Sequence, residues 1–280
     1  MIANDTTAGP ILVGVDGSPE ARAAAAFAVQ LCSGASGGAL LLAHAYWTPS
    51  DPFDVVGASM IGQLQRTATE LVDGLAAELR QTCSVPIETV VEAAEPVSFL
   101  GLLARDASTV VVGQDAANLF DRVTFGSVAG HLAATAPCPV VIVPAAWHPA
   151  SLAEHPVVAL TGDRPVQATL STAISEAERV GTSVLLLHVV PKGASPAEVE
   201  RQQGDLAVLV AAAHPAEHGV AVETRIVPGH ADEILVQESV SAAAVVVGRP
   251  HRHGSWGWMR SVAHAVMKRT LCPLIIVPAD

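Results

Sequence analysis

The sequence predicts an α/β protein built from two tandem doubly wound domains, each a five-stranded parallel sheet with helices on both faces. Half of the 280 residues are apolar, but only 4% are aromatic. The apolar residues form short blocks of Val, Leu, Ile and Ala, which are typical of parallel strands buried on both faces. Segments with helical spacing separate these blocks, as in successive βαβ units. The whole order of strands and helices occurs twice along the chain.

Two copies of one domain account for four pairs of similar segments that recur in the same order. The pairs are GPILVGVDGSP with HPVVALTGDRP, LLLAH with LLLH, VVVG with a second VVVG, and SVAGHLAATAPCPVVIVP with SVAHAVMKRTLCPLIIVP. The first copy carries a longer insert, YWTPSDPFDVVGASMIGQ, after its second strand. We therefore predict one domain at residues 1–148 and a second at residues 149–280.

Each element of the first copy follows from a local pattern. Ser18 as the cap and Pro19 at the first helical position begin the first helix. Leucines near helical spacing predict the second helix, in LQRTATELVDGLAAELRQT, and PVSFLGLLARDA and SVAGHLAATA predict the third and fourth. Right-handed crossovers place these helices on both faces of a Rossmann-like sheet. Five apolar runs bounded by Gly, Pro or polar residues predict the strands: ILVGV, ALLLAH, IETVVEA, STVVVG and PVVIVP.

Charge and composition narrow the classes of function. A formal charge of −12 opposes sequence-independent binding of nucleic acid, which needs many Lys and Arg side chains. The start MIANDTTAGP lacks a basic region followed by an apolar core, and no apolar run approaches the roughly 18 residues that cross a bilayer. We expect a soluble, cytoplasmic protein with no membrane or nucleic-acid partner. The four cysteines lack CxxC spacing and predict reduced, mostly buried thiols.

The stretch GQDAANLFDRVTFGS joins the predicted fourth strand to the fourth helix. Gly113 would end the strand, and Gly126 and Ser127 would begin the helix, whose unpaired N–H groups and dipole favour an anion. Glycine lets the backbone approach a phosphate closely, and the Ser127 hydroxyl adds a hydrogen bond. A plain connection to a Ser-capped helix would need Gly and Ser at the same places. Spacing alone therefore leaves both interpretations open.

The segments VGVDGSP, LLLAH, VVVG and GSVAGHLAATAPCPVVIVP together resemble the universal stress proteins in their tandem-domain form. The resemblance covers nearly all of both halves. ATP-binding members of that family carry GxxGx9G followed by Ser or Thr between the fourth strand and the fourth helix. Gly113, Ala116, Gly126 and Ser127 fall on this pattern, with Ala116 in place of the second glycine. If that position is left-handed, the added methyl group costs about 1 kcal/mol.

The resemblance implies a stress-response regulatory protein whose first domain binds ATP or a related adenine nucleotide, accompanied by Mg²⁺. The family's nucleotide contacts map onto Gly14, Val15, Asp16, Ala45, Gly113, Ala116, Gly126, Ser127 and Val128. No base or nucleophile motif accompanies them, so we expect no catalytic residues, no metal centre and at most slow, incidental ATP hydrolysis. The resemblance also implies pseudo-twofold pairing of the two domains through the edges of their fifth strands, and it allows a homodimer.

The second copy departs further from the family pattern. The loop GRPHRHGSWGWMRS is one residue shorter, and the Asp after the first strand is displaced to Asp163. Its cationic side chains could replace backbone amides as an anion site, or its Trp and Arg residues could cover the opposite domain or a second subunit. The candidate binding residues of this copy are Gly248, His251, Arg252, Arg260, Ser261 and Val262.

Other interpretations stay open from the sequence alone. One is a nucleotide-free interaction or dimerisation scaffold, and another is an ATP-using enzyme of the adenine-nucleotide alpha-hydrolase type, which shares this architecture. His44 and His188 recur at the end of the second strand, where each could touch a ligand or a metal, or pack as a hydrogen-bonded residue. His214 and His218 have helical metal spacing, but Pro215 disturbs a helix there.

Overall fold

The computed structural model describes residues 9–34, 38–47, 58–114, 128–148, 154–162, 167–249 and 261–278. The chain divides into two compact units, Met1–Ala145 and Ala146–Asp280. This division lies close to the predicted domain boundary after residue 148. Each unit contains five parallel strands and their connecting helices, which confirms the predicted fold class.

In the first unit the strands lie in the order β3-β2-β1-β4-β5, and all neighbours are parallel. Strands β2 and β3 lie on one side of β1, and β4 and β5 lie on the other, so the strand order reverses between β1 and β4. The strands are β1 Ile11–Gly14, β2 Leu40–Tyr46, β3 Ile87–Ala93, β4 Thr109–Gly113 and β5 Val140–Val143. The helices are α1 Pro19–Gly34, α2 Ala58–Thr82, α3 Pro96–Leu103 and α4 Val128–Thr135.

The second unit repeats this order as β8-β7-β6-β9-β10, again with parallel neighbours. Its strands are β6 Val157–Thr161, β7 Val184–Val190, β8 Val222–Pro228, β9 Ala244–Gly248 and β10 Leu274–Val277. Its helices are α5 Gln167–Val180, α6 Pro196–Ala213, α7 Ala231–Glu238 and α8 Val262–Met267. Short 3-10 turns occur at Pro215–His218 and Ser239–Ser241.

The strands carry the core because they are apolar on both faces. Leu12 and Val110 in the first unit and Val246 in the second have no exposed surface. Helix α1 packs on the first sheet through small residues such as Ala24, together with the fully buried ring of Phe27. Truncating a buried Phe to Ala costs about 3–5 kcal/mol, so Phe27 anchors this helix.

Helix α2 is longer than the segment from which it was predicted. It begins at Ala58, and Val72, Leu75 and Leu79 are its large buried side chains. Leu64, one of the leucines behind the prediction, is exposed. Among the described residues, no helix is both long enough and apolar enough to cross a bilayer.

A carboxylate rather than a hydroxyl begins helix α3. Glu95 accepts hydrogen bonds from the Val97 N–H at 3.0 Å and the Ser98 N–H at 2.7 Å. These bonds satisfy N–H groups that have no partner within the helix. The bonds to Ser98 and then to Val97 lower the pKa of Glu95, because they favour the charged carboxylate.

All four cysteines are free thiols. Cys32, Cys138 and Cys272 are buried, and Cys83 is half-buried. Burial raises the pKa of Cys32 to about 11 and that of Cys272 to about 12. The thiolate is the reactive form of cysteine, so burial keeps these two side chains unreactive.

Candidate functional site

Three neighbouring strands, β2, β1 and β4, end side by side at the carboxyl edge of the first sheet. In an open parallel sheet, ligands bind outside this edge, at the point where the strand order reverses. The structure thus brings to one edge several predicted site residues from three separate parts of the chain: Gly14, Val15, Asp16, Ala45 and Gly113.

A hydrogen-bonded turn after β1 holds the side chain of Asp16. Its Oδ1 accepts from the Ser18 N–H at 2.9 Å and from the Ser18 hydroxyl at 2.5 Å. The Ser18 oxygen in turn accepts from the Ala21 N–H at 3.1 Å, which caps α1 as predicted. Gly17 has φ +86°, in the left-handed region that glycine adopts readily. Asp16 is exposed, so the turn holds an accessible carboxylate at the switch point.

Gly113 ends β4 against the first turn of α1. A Cβ atom at this position would lie 2.6 Å from Glu20 Cβ, 2.7 Å from the Glu20 carbonyl carbon and 2.9 Å from Ala21 N. Two of these three are backbone atoms, which cannot move without shifting the helix. Packing between β4 and α1 therefore requires glycine here, whether or not a phosphate binds. The same packing brings Glu20 next to the start of the predicted phosphate loop.

The remaining first-unit candidates divide between described and undescribed residues. Ala45 is half-buried on β2, in register with Glu92 of β3. Val128 is half-buried and is the first residue of α4. The interior of the predicted phosphate loop lies outside the described residues, so its geometry stays a prediction for Ala116, Gly126 and Ser127.

The second unit has the same strand-end glycine and the same Ser-capped helix, but the glycine has a different neighbour. Gly248 ends β9, and the Ser261 hydroxyl accepts from the His264 N–H at 3.1 Å to cap α8, which begins at Val262. A Cβ atom on Gly248 would meet Thr169 Oγ1 at 3.2 Å, a contact with a side chain rather than with backbone. The other candidates in this copy lie outside the described residues: His251, Arg252 and Arg260.

The structure distinguishes the two histidines that recur in the repeat. His44 Nδ1 lies 2.6 Å from the carbonyl oxygen of Val15. A carbonyl oxygen can only accept, so Nδ1 carries the hydrogen and donates it. His188 is 2% exposed, and its buried Nδ1 has no hydrogen-bond partner among the residues that the structure describes. The recurrence in the sequence indicated both positions, but it did not show that one ring forms this hydrogen bond and the other does not.

The histidine pair that follows α6 has another arrangement. Helix α6 ends at Ala213, and His214 adopts a left-handed conformation with φ 48°. His218 Nδ1 lies 2.8 Å from Glu178 Oε2, in a partly exposed hydrogen bond. Within the described parts of the chain, no three His, Cys, Asp or Glu residues are grouped so that they could hold a metal ion.

Comparisons with known proteins find the same similarity in both units. The model of the universal stress protein family matches residues 8–144 and 154–278. A universal stress protein of Mycobacterium tuberculosis is 27% identical over 95% of this chain and 96% of its own length. A universal stress protein of Mycolicibacterium smegmatis is 30% identical over 48% of this chain and 45% of its own length. The crystal structure of a universal stress protein from Archaeoglobus fulgidus matches the fold with a TM-score of 0.74, 15% identity and 97% coverage of both chains.

Proposed function

The chain belongs to the universal stress protein family, and from this premise we propose that its first domain binds ATP or a related adenine nucleotide. The binding site is the carboxyl edge of the first sheet. The base and ribose lie against Asp16 and the ends of β1 and β2, and the phosphates lie along the loop that begins after Gly113.

One observation supports this proposal above the others. The exposed Asp16 carboxylate is fixed by two hydrogen bonds from Ser18 at the point where the strand order reverses. Ligands of doubly wound folds bind at this point. A fixed carboxylate is suited to accept hydrogen bonds from ribose hydroxyls or an amino group, because its geometry is set before the ligand arrives.

The charges at this edge favour a nucleotide that arrives with a divalent cation. Asp16 is acidic, and Glu20 stands where α1 packs against Gly113. Both would repel a bare triphosphate, and Mg²⁺ would offset that repulsion because it neutralises phosphate charge. We therefore expect ATP to bind more tightly with Mg²⁺ than in the presence of EDTA, and adenosine to bind independently of Mg²⁺.

The proposed role is regulatory rather than catalytic. The sequence offers no base or nucleophile motif in these loops, so hydrolysis of bound ATP would be slow and incidental. Nucleotide occupancy would instead alter the surface around Asp16 and Gly113, and partner proteins would recognise that surface. The predicted cytoplasmic location, pairing through the fifth strands and homodimer stay predictions.

The test compares two isosteric charge removals in ligand-free protein. Asp16→Asn keeps an oxygen that can accept from Ser18, so the turn survives while the charge is lost. Asp106→Asn removes the same charge at the exposed residue between α3 and β4, at the amino edge of the sheet. Calorimetric titration with ATP and Mg²⁺ should show affinity reduced about 10- to 100-fold by Asp16→Asn. Asp106→Asn should leave it unchanged.

The nucleotide-free scaffold is the alternative that this titration addresses. Wild-type protein that shows no binding up to millimolar ATP would overturn the proposed function and favour the scaffold. Mass spectrometry of small molecules released from denatured protein gives an independent answer, since a co-purified adenine nucleotide would identify the ligand directly.

A further inference from the structure

Both backbone polar groups of Val15 are held by β2. Its N–H donates to the carbonyl of Ala43 at 2.9 Å, and its own carbonyl accepts from the His44 ring at 2.6 Å. The first bond is an ordinary bond of the parallel ladder. The second is not, because a side chain supplies the donor at a place where the ladder would use a backbone N–H.

The regular ladder would place the Ala45 N–H on that carbonyl. Register between β1 and β2 pairs Gly14 with Ala43 and ends there. If it continued by one pair, Val15 would be opposite His44, and the Val15 carbonyl would accept from the Ala45 N–H. The imidazole takes the carbonyl instead. The Ala45 N–H thus has no ladder partner. It lies at the carboxyl edge of the sheet, on a residue that is only half-buried.

The second unit shows what happens when the ladder does continue. There the register between β6 and β7 reaches Thr161 opposite His188, the pair equivalent to Val15 and His44. This pairing commits the Thr161 carbonyl to the Val189 N–H. The Nδ1 atom of His188 is buried and then has no hydrogen-bond partner within the described part of the chain. Histidine at the same position of the repeat is therefore followed by an N–H outside the ladder at Ala45 and by an N–H within the ladder at Val189.

We propose that His44 is a positioning residue for base recognition: it holds the Val15 carbonyl outside the ladder and so leaves the Ala45 N–H available to the adenine ring. A backbone N–H matches the ring nitrogens of adenine, which only accept hydrogen bonds. This inference rests on the proposed nucleotide binding by the first domain. The second domain lacks the device, because its ladder uses the equivalent N–H group of Val189.

The test uses variants that keep or remove the donor. His44→Val has no donor, so the Val15 carbonyl should take the Ala45 N–H and close the ladder. His44→Asn places an amide N–H near the position of the imidazole Nδ1 and should keep the native arrangement. His188→Val is the matched control in the second domain, where no such bond exists. If His44→Val lowers the yield of folded protein, His44→Gln replaces it as the variant without a donor. The glutamine amide lies near the position of Nε2 and not of Nδ1, so it should not reach the Val15 carbonyl.

Amide hydrogen exchange measured by NMR reports on the backbone without any ligand. In wild-type protein and His44→Asn, the Ala45 amide should exchange rapidly and become protected when ATP and Mg²⁺ are added. In His44→Val it should be protected before nucleotide is added, while the Val189 amide should be protected in every variant. A protected Ala45 amide in nucleotide-free wild-type protein would overturn the inference, whatever the nucleotide titrations show.

Titration with ATP and Mg²⁺ then separates this inference from the proposed function. His44→Val should bind about fivefold more weakly than wild type, which is the usual effect of one lost hydrogen bond, and His44→Asn should bind within about twofold. His188→Val should bind as wild type does. Equal affinity of wild type and His44→Val overturns the inference alone. No binding by wild type overturns the proposed function and this inference with it.

Discussion

Replacing Gly113 by alanine should destabilise the first domain through a single identifiable contact. The new methyl group would lie 2.6 to 2.9 Å from three atoms of Glu20 and Ala21 in the first turn of α1. Real Cβ atoms do not approach other heavy atoms this closely, so either the helix or the end of β4 must move. Overpacking of this kind costs about 1–3 kcal/mol.

The second domain provides the matched control, Gly248→Ala. Among the described residues, its methyl group would meet Thr169 Oγ1 alone, at 3.2 Å, and a hydroxyl group can move by rotation of its side chain. We expect a change in unfolding free energy of less than about 1 kcal/mol for this variant, since the loss of glycine also restricts the unfolded chain.

Thermal unfolding followed by differential scanning calorimetry measures both changes. For a domain of this size, about 2 kcal/mol corresponds to a Tm lower by about 4–8 °C. Gly113→Ala should therefore lower the Tm of one transition by this amount, and Gly248→Ala should leave both transitions nearly unchanged. Equal shifts for the two variants would refute the reasoning, because the contact with α1 would then not be what requires glycine.

Two further predictions concern ionisable groups. Backbone N–H groups of Ser98 and Val97 lower the pKa of Glu95, so its carboxylate adds stability that is complete above the ordinary pKa of 4.5 and is lost as the pH falls below it. In urea unfolding, the difference in unfolding free energy between wild type and Glu95→Gln should therefore shrink in that acid range. A difference that does not change with pH would contradict this prediction. Burial raises the pKa of Cys32 to about 11 and that of Cys272 to about 12. Peptide mass mapping after brief iodoacetamide treatment of folded protein should therefore find Cys83 labelled first. Equal labelling of all four cysteines would contradict this, because the buried thiols would then be as accessible as Cys83.

The repeat, the order of strands and helices and the start of α1 could be predicted from the sequence. These features depend on local composition and periodicity: apolar blocks predict buried parallel strands, and Ser18 followed by Pro19 predicts a helix start. The same patterns placed the candidate phosphate loop directly after the fourth strand, which ends at Gly113 in the structure. Leu64 shows the limit of periodicity, because helical spacing placed it with the buried leucines although it is exposed.

The tertiary structure decided what individual site residues do. The pattern of the phosphate loop explained Gly113 by the approach of a ligand, and the structure adds the approach of α1, which follows β1 and not β4. The recurrence of His44 and His188 left ligand contact and hydrogen-bonded packing open for both, but the His44 ring donates to a strand-end carbonyl, whereas His188 Nδ1 has no partner among the described residues. That difference depends on whether the neighbouring ladder ends one pair earlier. A ladder's end is set by the paths of two strands far apart in sequence, so local pattern cannot reveal it.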